Sequence, residues 1–184
     1  SSLESLGEEL TGLYSRRQFK VRYQSDLSQR QTDASYAVAV FAIDDLDTIT
    51  ANMSHDLAQQ IIRSLGSYIN KHFGAVGGFS SRQTINEYGT VLPYSDLEES
   101  ERILNDFTKD FKQHGIKDYE DYEIRELDSN GENDAPTGEY VEFSVLAGLA
   151  QGKPQIEIES VMEFARFQQK EIARFRCARG GEKK

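Results

Sequence analysis

Few side chains in this sequence are spaced for chemistry. His55, His72 and His114 lie far apart, and none stands at metal-ligand spacing from Cys177. Gly77-Gly78 is not followed by the G-x-x-x-x-G-K-[ST] pattern that cradles phosphates. Asp44 closes an apolar run and reads as a turn or cap residue. Glu87 reads as a solvated or ion-paired carboxylate, and Lys170 as an exposed lysine on a helix face. A ligand-binding role is the sharper alternative for each of these three. The acidic stretch from Asp118 to Glu139 reads as a solvated hairpin or loop containing an Asn130-Gly131 turn, with docking of a basic partner as its sharper alternative.

These residues are positioned by elements that the apolar pattern outlines. Leu13, Phe19, Tyr23 and Leu27 recur at roughly helical spacing and predict a helix over Ser15 to Gln29. Tyr36 to Ile43 is nearly continuous apolar sequence, as expected of a buried central strand. Ser54 is a good N-cap for a helix over about 55–72, whose face carries Leu57, Ile61, Leu65 and Tyr68. Two short strands, about 76–81 and 86–92, form a hairpin closed by Pro93. Ser95 with Glu98 predicts a capping box for the next helix, which buries Leu97, Leu104, Phe107 and Phe111 and ends near Gly115. Tyr140 to Ala150 predicts a strand. Ser160 with Glu163 predicts a capped final helix carrying Val161, Phe164, Phe167, Ile172 and Phe175. A hairpin cannot belong to an all-parallel sheet, so the order predicts an α+β fold with a largely antiparallel sheet.

The 184 residues suit one domain spanning 1–184, with a core over about 8–175 and a mobile tail over 180–184. The formal charge of -10 repels phosphates and argues against general nucleic-acid binding. One cysteine allows no internal disulfide and favours a reducing compartment. No apolar run approaches the roughly 18–20 residues that cross a bilayer, and no signal-peptide pattern follows Ser1. The expected location is the cytoplasm, with no membrane insertion by this segment. The start at Ser1-Ser2-Leu3-Glu4 reads either as a cut from a longer protein or as a natural terminus.

Leu10-Thr11-Gly12-Leu13-Tyr14-Ser15-Arg16-Arg17-Gln18-Phe19 resembles the opening motif of diguanylate cyclase (GGDEF) domains, D-x-L-T-G-L-x-N-R-R-x-F, with Glu8 at its Asp and Ser15 at its Asn. Phe41-Ala42-Ile43-Asp44-Asp45-Leu46-Asp47-Thr48-Ile49 resembles F-D-I-D-x-F-K-x-I. Thr84-Ile85-Asn86-Glu87-Tyr88, followed by Gly89-Thr90-Val91-Leu92-Pro93, resembles G-G-D-E-F-A-V-L-L-P. Ala165-Arg166-Phe167-Gln168-Gln169-Lys170 resembles A-L-Y-x-A-K. The similarity runs from about Glu8 to Arg174 and implies a nucleotidyl-cyclase palm, a central antiparallel sheet flanked by helices.

The resemblance also implies a chemistry whose groups have been replaced. Active family members make cyclic di-GMP from two GTP molecules using divalent metal held by carboxylates. The ligand positions correspond to Ala42 and Asn86, the paired glycines to the β-branched Thr84 and Ile85, the guanine-reading positions to Thr50 and Gln59, and the phosphate-side Lys to Asp47. The product-inhibition motif R-x-x-D is replaced by Ala75-Val76-Gly77-Gly78. Asp44, Glu87 and Lys170 survive. The expectation is a catalytically inactive regulatory module with no cofactor and no metal. It acts through a protein partner, other domains of a parent polypeptide or a homodimer. A nucleotide or cyclic di-GMP sensor, with Lys170 and Arg16 or Arg17 on phosphate, is the alternative. A divergent cyclase using Asp44 and Glu87 is disfavoured, because a one-residue shift along a strand is expected to turn a side chain to the opposite face.

Overall fold

The computed structural model describes residues 13–29, 35–93, 95–127 and 138–180. Glu8, Leu10-Thr11-Gly12, Asn130-Gly131 and residues 181–184 lie outside the described residues. In chain order the elements are α1 (Arg16–Ser28), β1 (Tyr36–Asp44), α2 (Leu46–Asn52), α3 (His55–Gly74), β2 (Phe79–Thr84), β3 (Glu87–Pro93), α4 (Leu97–His114), β4 (Tyr122–Glu126), β5 (Tyr140–Gly152), α5 (Ile158–Phe167) and β6 (Lys170–Arg179).

The apolar run of β1 is central because both of its edges and both of its faces are covered. It pairs antiparallel with β3 on one side and β5 on the other, in a six-stranded sheet of order β2-β3-β1-β5-β6-β4. All five strand pairings are antiparallel, so the fold is α+β as the element order predicted. Alternation sends Ala37, Ala39, Phe41 and Ile43 to one face, where they meet Leu57, Ile61 and Leu65 of α3 and Phe107 and Phe111 of α4. Tyr36, Val38 and Val40 go to the other, against Phe19 and Tyr23 of α1 and Val161, Met162 and Ala165 of α5. Each fully buried aromatic or aliphatic side chain contributes about 1.5–3 kcal/mol to this two-faced core.

Several expectations are corrected by tertiary pairing. The final helix stops at Phe167, and Ile172 and Phe175 belong to β6. In β6, Ala173, Phe175 and Cys177 are buried in alternation with Arg174 and Arg176, a period of two that pairing with β5 and β4 selects over the helical reading. The acidic segment contains β4, where buried Tyr122 and Ile124 alternate with exposed Glu123 and Arg125. Caps shift too. Asp96, not Ser95, caps α4 by accepting from the Glu99 amide at 2.8 Å. α5 starts before Ser160, with Glu157 at its N-cap and no side-chain cap bond. The hairpin strands lie a few residues later than the spacing suggested. Ser54 caps α3 as expected, accepting from the Leu57 amide.

Candidate functional site

The hairpin between β2 and β3 brings the signature-like residues beside the end of β1. Ala42 stands directly opposite Glu87 in the β1–β3 register, and opposite Leu146 in the β1–β5 register. Cross-strand partners share a face, so Glu87 lies on the Ala42 face of the sheet. The expectation that a one-residue shift turns Glu87 away therefore fails. Asn86 lies in the turn rather than in β3, so strand alternation starts counting at Glu87.

Glu87 is 9% exposed and does not face water alone. Arg166 of α5 grips it with both ends of its guanidinium. Nε donates to both carboxylate oxygens at 3.0 and 3.1 Å, and Nη2 donates to Oε1 at 2.8 Å. Its third nitrogen, Nη1, donates to Glu163 at 2.9 Å. Hydrogen bonding to Glu87 holds the Arg166 guanidinium even further above neutrality than usual, against the opposing effect of partial burial. This fork geometry suits arginine and carboxylate better than any lysine pair could. Arg166 was overlooked in the motif although a signal existed. It stands where A-L-Y-x-A-K has leucine, a charge at an apolar position directly after the buried Ala165 and one turn beyond the buried Met162.

The hairpin tip is closed upon itself. Asn86 Nδ2 donates to the Ile43 carbonyl at 2.9 Å, and Thr84 Oγ1 donates to Asn86 Oδ1 at 3.1 Å. Arg82 donates to the Thr84 and Ile85 carbonyls at 3.2 and 2.5 Å. Ile85 itself is 67% exposed. The turn forms without any residue at positive φ, because a register shift between Arg82 and Thr84 absorbs its curvature. The β-branched Thr84 and Ile85, expected from the resemblance to replace two glycines, can therefore occupy this turn. Tyr88, the last signature residue, is buried with its hydroxyl donating to the Ile62 carbonyl at 2.8 Å. Burial pushes its pKa up to about 12.

The remaining candidates are scattered. Asp44 is exposed at the end of β1, and Asp45 beyond it takes a left-handed φ of 68° that starts α2. Asp47 is exposed in the first turn of α2, and Thr50 turns its hydroxyl back to the Leu46 carbonyl. Gln59 is half-buried on α3, a different helix from Thr50. Lys170 is not on a helix but begins β6, opposite Ala147 on the α4 side of the sheet. It thus sits across the sheet from Ala42 and Glu87. Arg16 and Arg17 are exposed at the start of α1.

Among the described residues, no three His, Cys, Asp or Glu side chains form a metal-holding group. Mg²⁺ takes several oxygen ligands at once. Here the Ala42 side chain has none to give, the Asn86 amide oxygen accepts from the Thr84 hydroxyl, and the Glu87 carboxylate already has a cation. The donor set does not fit the ion.

A family model described as "Diguanylate cyclase, GGDEF domain" matches residues 7–124. The chain belongs to the GGDEF family. No curated protein matches the sequence. Among solved structures, the GGDEF domain of DgcB from Caulobacter crescentus, in complex with c-di-GMP, is 21% identical. That match has a TM-score of 0.64 and covers 86% of this chain and 84% of that one. The active GGEEF domain of a diguanylate cyclase from Vibrio cholerae is 13% identical with a TM-score of 0.62, covering 84% and 87%. The diguanylate cyclase SiaD of Pseudomonas aeruginosa, in complex with its activator SiaC, is 15% identical with a TM-score of 0.61, covering 86% and 54%. At these identities the likeness establishes the GGDEF fold. Among the described residues no helix is long and apolar enough to cross a membrane.

Proposed function

We propose that this GGDEF domain is a noncatalytic regulatory module that works through contacts with protein, either a separate partner or other domains of its own polypeptide. The observation that carries the reading is the Glu87–Arg166 pair. A guanidinium occupies the carboxylate that stands opposite Ala42 in the β1–β3 register, so the chain supplies internally the positive charge that the family takes from metal. The self-bonded hairpin tip supports the same reading, because its polar groups are spent on the turn rather than offered to a nucleotide. A relative that is held in complex with an activator protein fits a protein-facing role for this fold. A cytoplasmic, cyclic di-GMP signalling setting is part of the proposal.

The test is isothermal titration of the purified chain with GTP and with cyclic di-GMP, each with and without Mg²⁺. Flat titrations at millimolar ligand are expected. Metal-dependent micromolar binding of GTP would overturn the reading and restore the cleft as a nucleotide site.

A further inference from the structure

β5 is longer than the strand beside it. Its pairing with β6 runs from Tyr140 to Ala147 and stops where Lys170 begins β6. Among the described residues, β1 is the only strand neighbour of Gly148 to Gly152, and no strand lies along the opposite edge. Such an edge presents backbone donors and acceptors in a row and is a template for another strand. A cavity of about 610 Å³ lies along this edge, between α4 and α5. Leu97, Leu104, Leu149 and Phe164 supply its apolar lining, and Phe164 is 63% exposed. Glu101 and Lys170 supply its charges.

We propose that this groove binds an extended segment of a partner protein, added to the sheet as a strand antiparallel to β5 and in line with β6. This rests on the regulatory reading above and gives it a surface. Each of the five pairings between the described strands is antiparallel, which sets the expected direction. The two charges set the polarity of the guest. Phe107 packs on Phe41, which stands opposite Ala147, and Phe111 packs on Phe175. α4 therefore starts toward the Gly152 end, so Glu101 lies at that end and Lys170 at the Ala147 end. An antiparallel guest enters at the Gly152 end and leaves at Lys170. It carries a basic residue toward its N-terminal side and an acidic one toward its C-terminal side, with apolar residues alternating between.

The experiment uses capped, alternating Val/Thr peptides that differ only in charge order, titrated by fluorescence anisotropy. The peptide with lysine first and glutamate last is expected to bind at least about tenfold more tightly than the reverse order. The double variant Glu101→Lys/Lys170→Glu is expected to invert that preference, with an unchanged circular dichroism spectrum because both residues are exposed. N-methylation of the peptide backbone is expected to abolish binding, because main-chain bonds carry an added strand. Equal binding of both orders, no inversion, binding that survives N-methylation, or no saturable binding would each overturn the proposal. Peptide failure with flat GTP titrations removes the groove alone, whereas metal-dependent GTP binding removes the regulatory reading itself.

Discussion

Replacing Arg166 by methionine tests whether the internal cation matters. The change keeps much of the apolar stem but leaves Glu87 in place, with a side chain only 12% exposed and no guanidinium to neutralise it. Removing one partner of a buried pair costs about 3–5 kcal/mol. Arg166 is itself 31% exposed, so water replaces part of the interaction and a loss of about 2–3 kcal/mol is expected here. At about 2–4 °C per kcal/mol for a domain this size, Tm falls by about 4–12 °C. Glu87→Gln is milder, at about 1 kcal/mol, because Arg166 retains Glu163. Urea unfolding of Arg166→Met, of Glu87→Leu and of Glu87→Leu/Arg166→Met completes a double-mutant cycle, and a coupling of at least about 1 kcal/mol is expected. The functional counterpart is Mg²⁺. The native chain is expected to show no rise in Tm with millimolar Mg²⁺, whereas Ala42→Asp/Arg166→Met, with two facing carboxylates and no cation, is expected to be stabilised by it. An Arg166→Met variant within about 0.5 kcal/mol of the native chain would refute the structural argument. A Mg²⁺-dependent rise in the native chain would refute the idea that Arg166 stands where an ion would act.

Two further outcomes follow from the same site. Asn86→Asp, which restores the family's acidic residue, is expected to destabilise by about 1–2 kcal/mol in thermal unfolding, because a carboxylate replaces the amide that donates to the Ile43 carbonyl. Unchanged stability would show that this bond does not hold the hairpin to β1. Tyr88 makes the stability alkali-sensitive. Burial raises its folded pKa to about 12 from the ordinary tyrosine value of 10.0, so the folded state keeps a proton that the unfolded state releases. Its stabilising contribution is complete below pH 10 and declines from there toward about pH 12. Denaturation followed across that window should lose this part of its slope in Tyr88→Phe, which also costs about 1 kcal/mol at neutral pH through the lost bond to Ile62.

Local sequence determined a good deal of this protein. The unbroken apolar run of Tyr36–Ile43 announced a strand covered on both faces, and the helical spacing of Leu57, Ile61 and Leu65 announced α3, because burial on one side leaves a periodic trace in the chain itself. The motif-like blocks pointed to the family that the matching family model shows, and Ala42, Thr84, Ile85 and Asn86 were legible as departures from the motifs they resemble. What escaped depends on partners distant in sequence. β6 reads locally as helix because Phe164, Phe167, Ile172 and Phe175 fit a loose helical spacing; only pairing with β5 and β4 selects the two-residue period after Gln169. β4 was hidden in acidic sequence because its exposed face is charged and only two of its residues are buried. Glu87 could be solvated or paired until α5 brought Arg166 across 79 residues of chain to hold it. The unpaired edge of β5 exists only because β6 ends opposite Ala147. Propensity and periodicity are properties of neighbours along the chain, whereas charge pairing, strand register and grooves are properties of neighbours in space, and folding alone decides those.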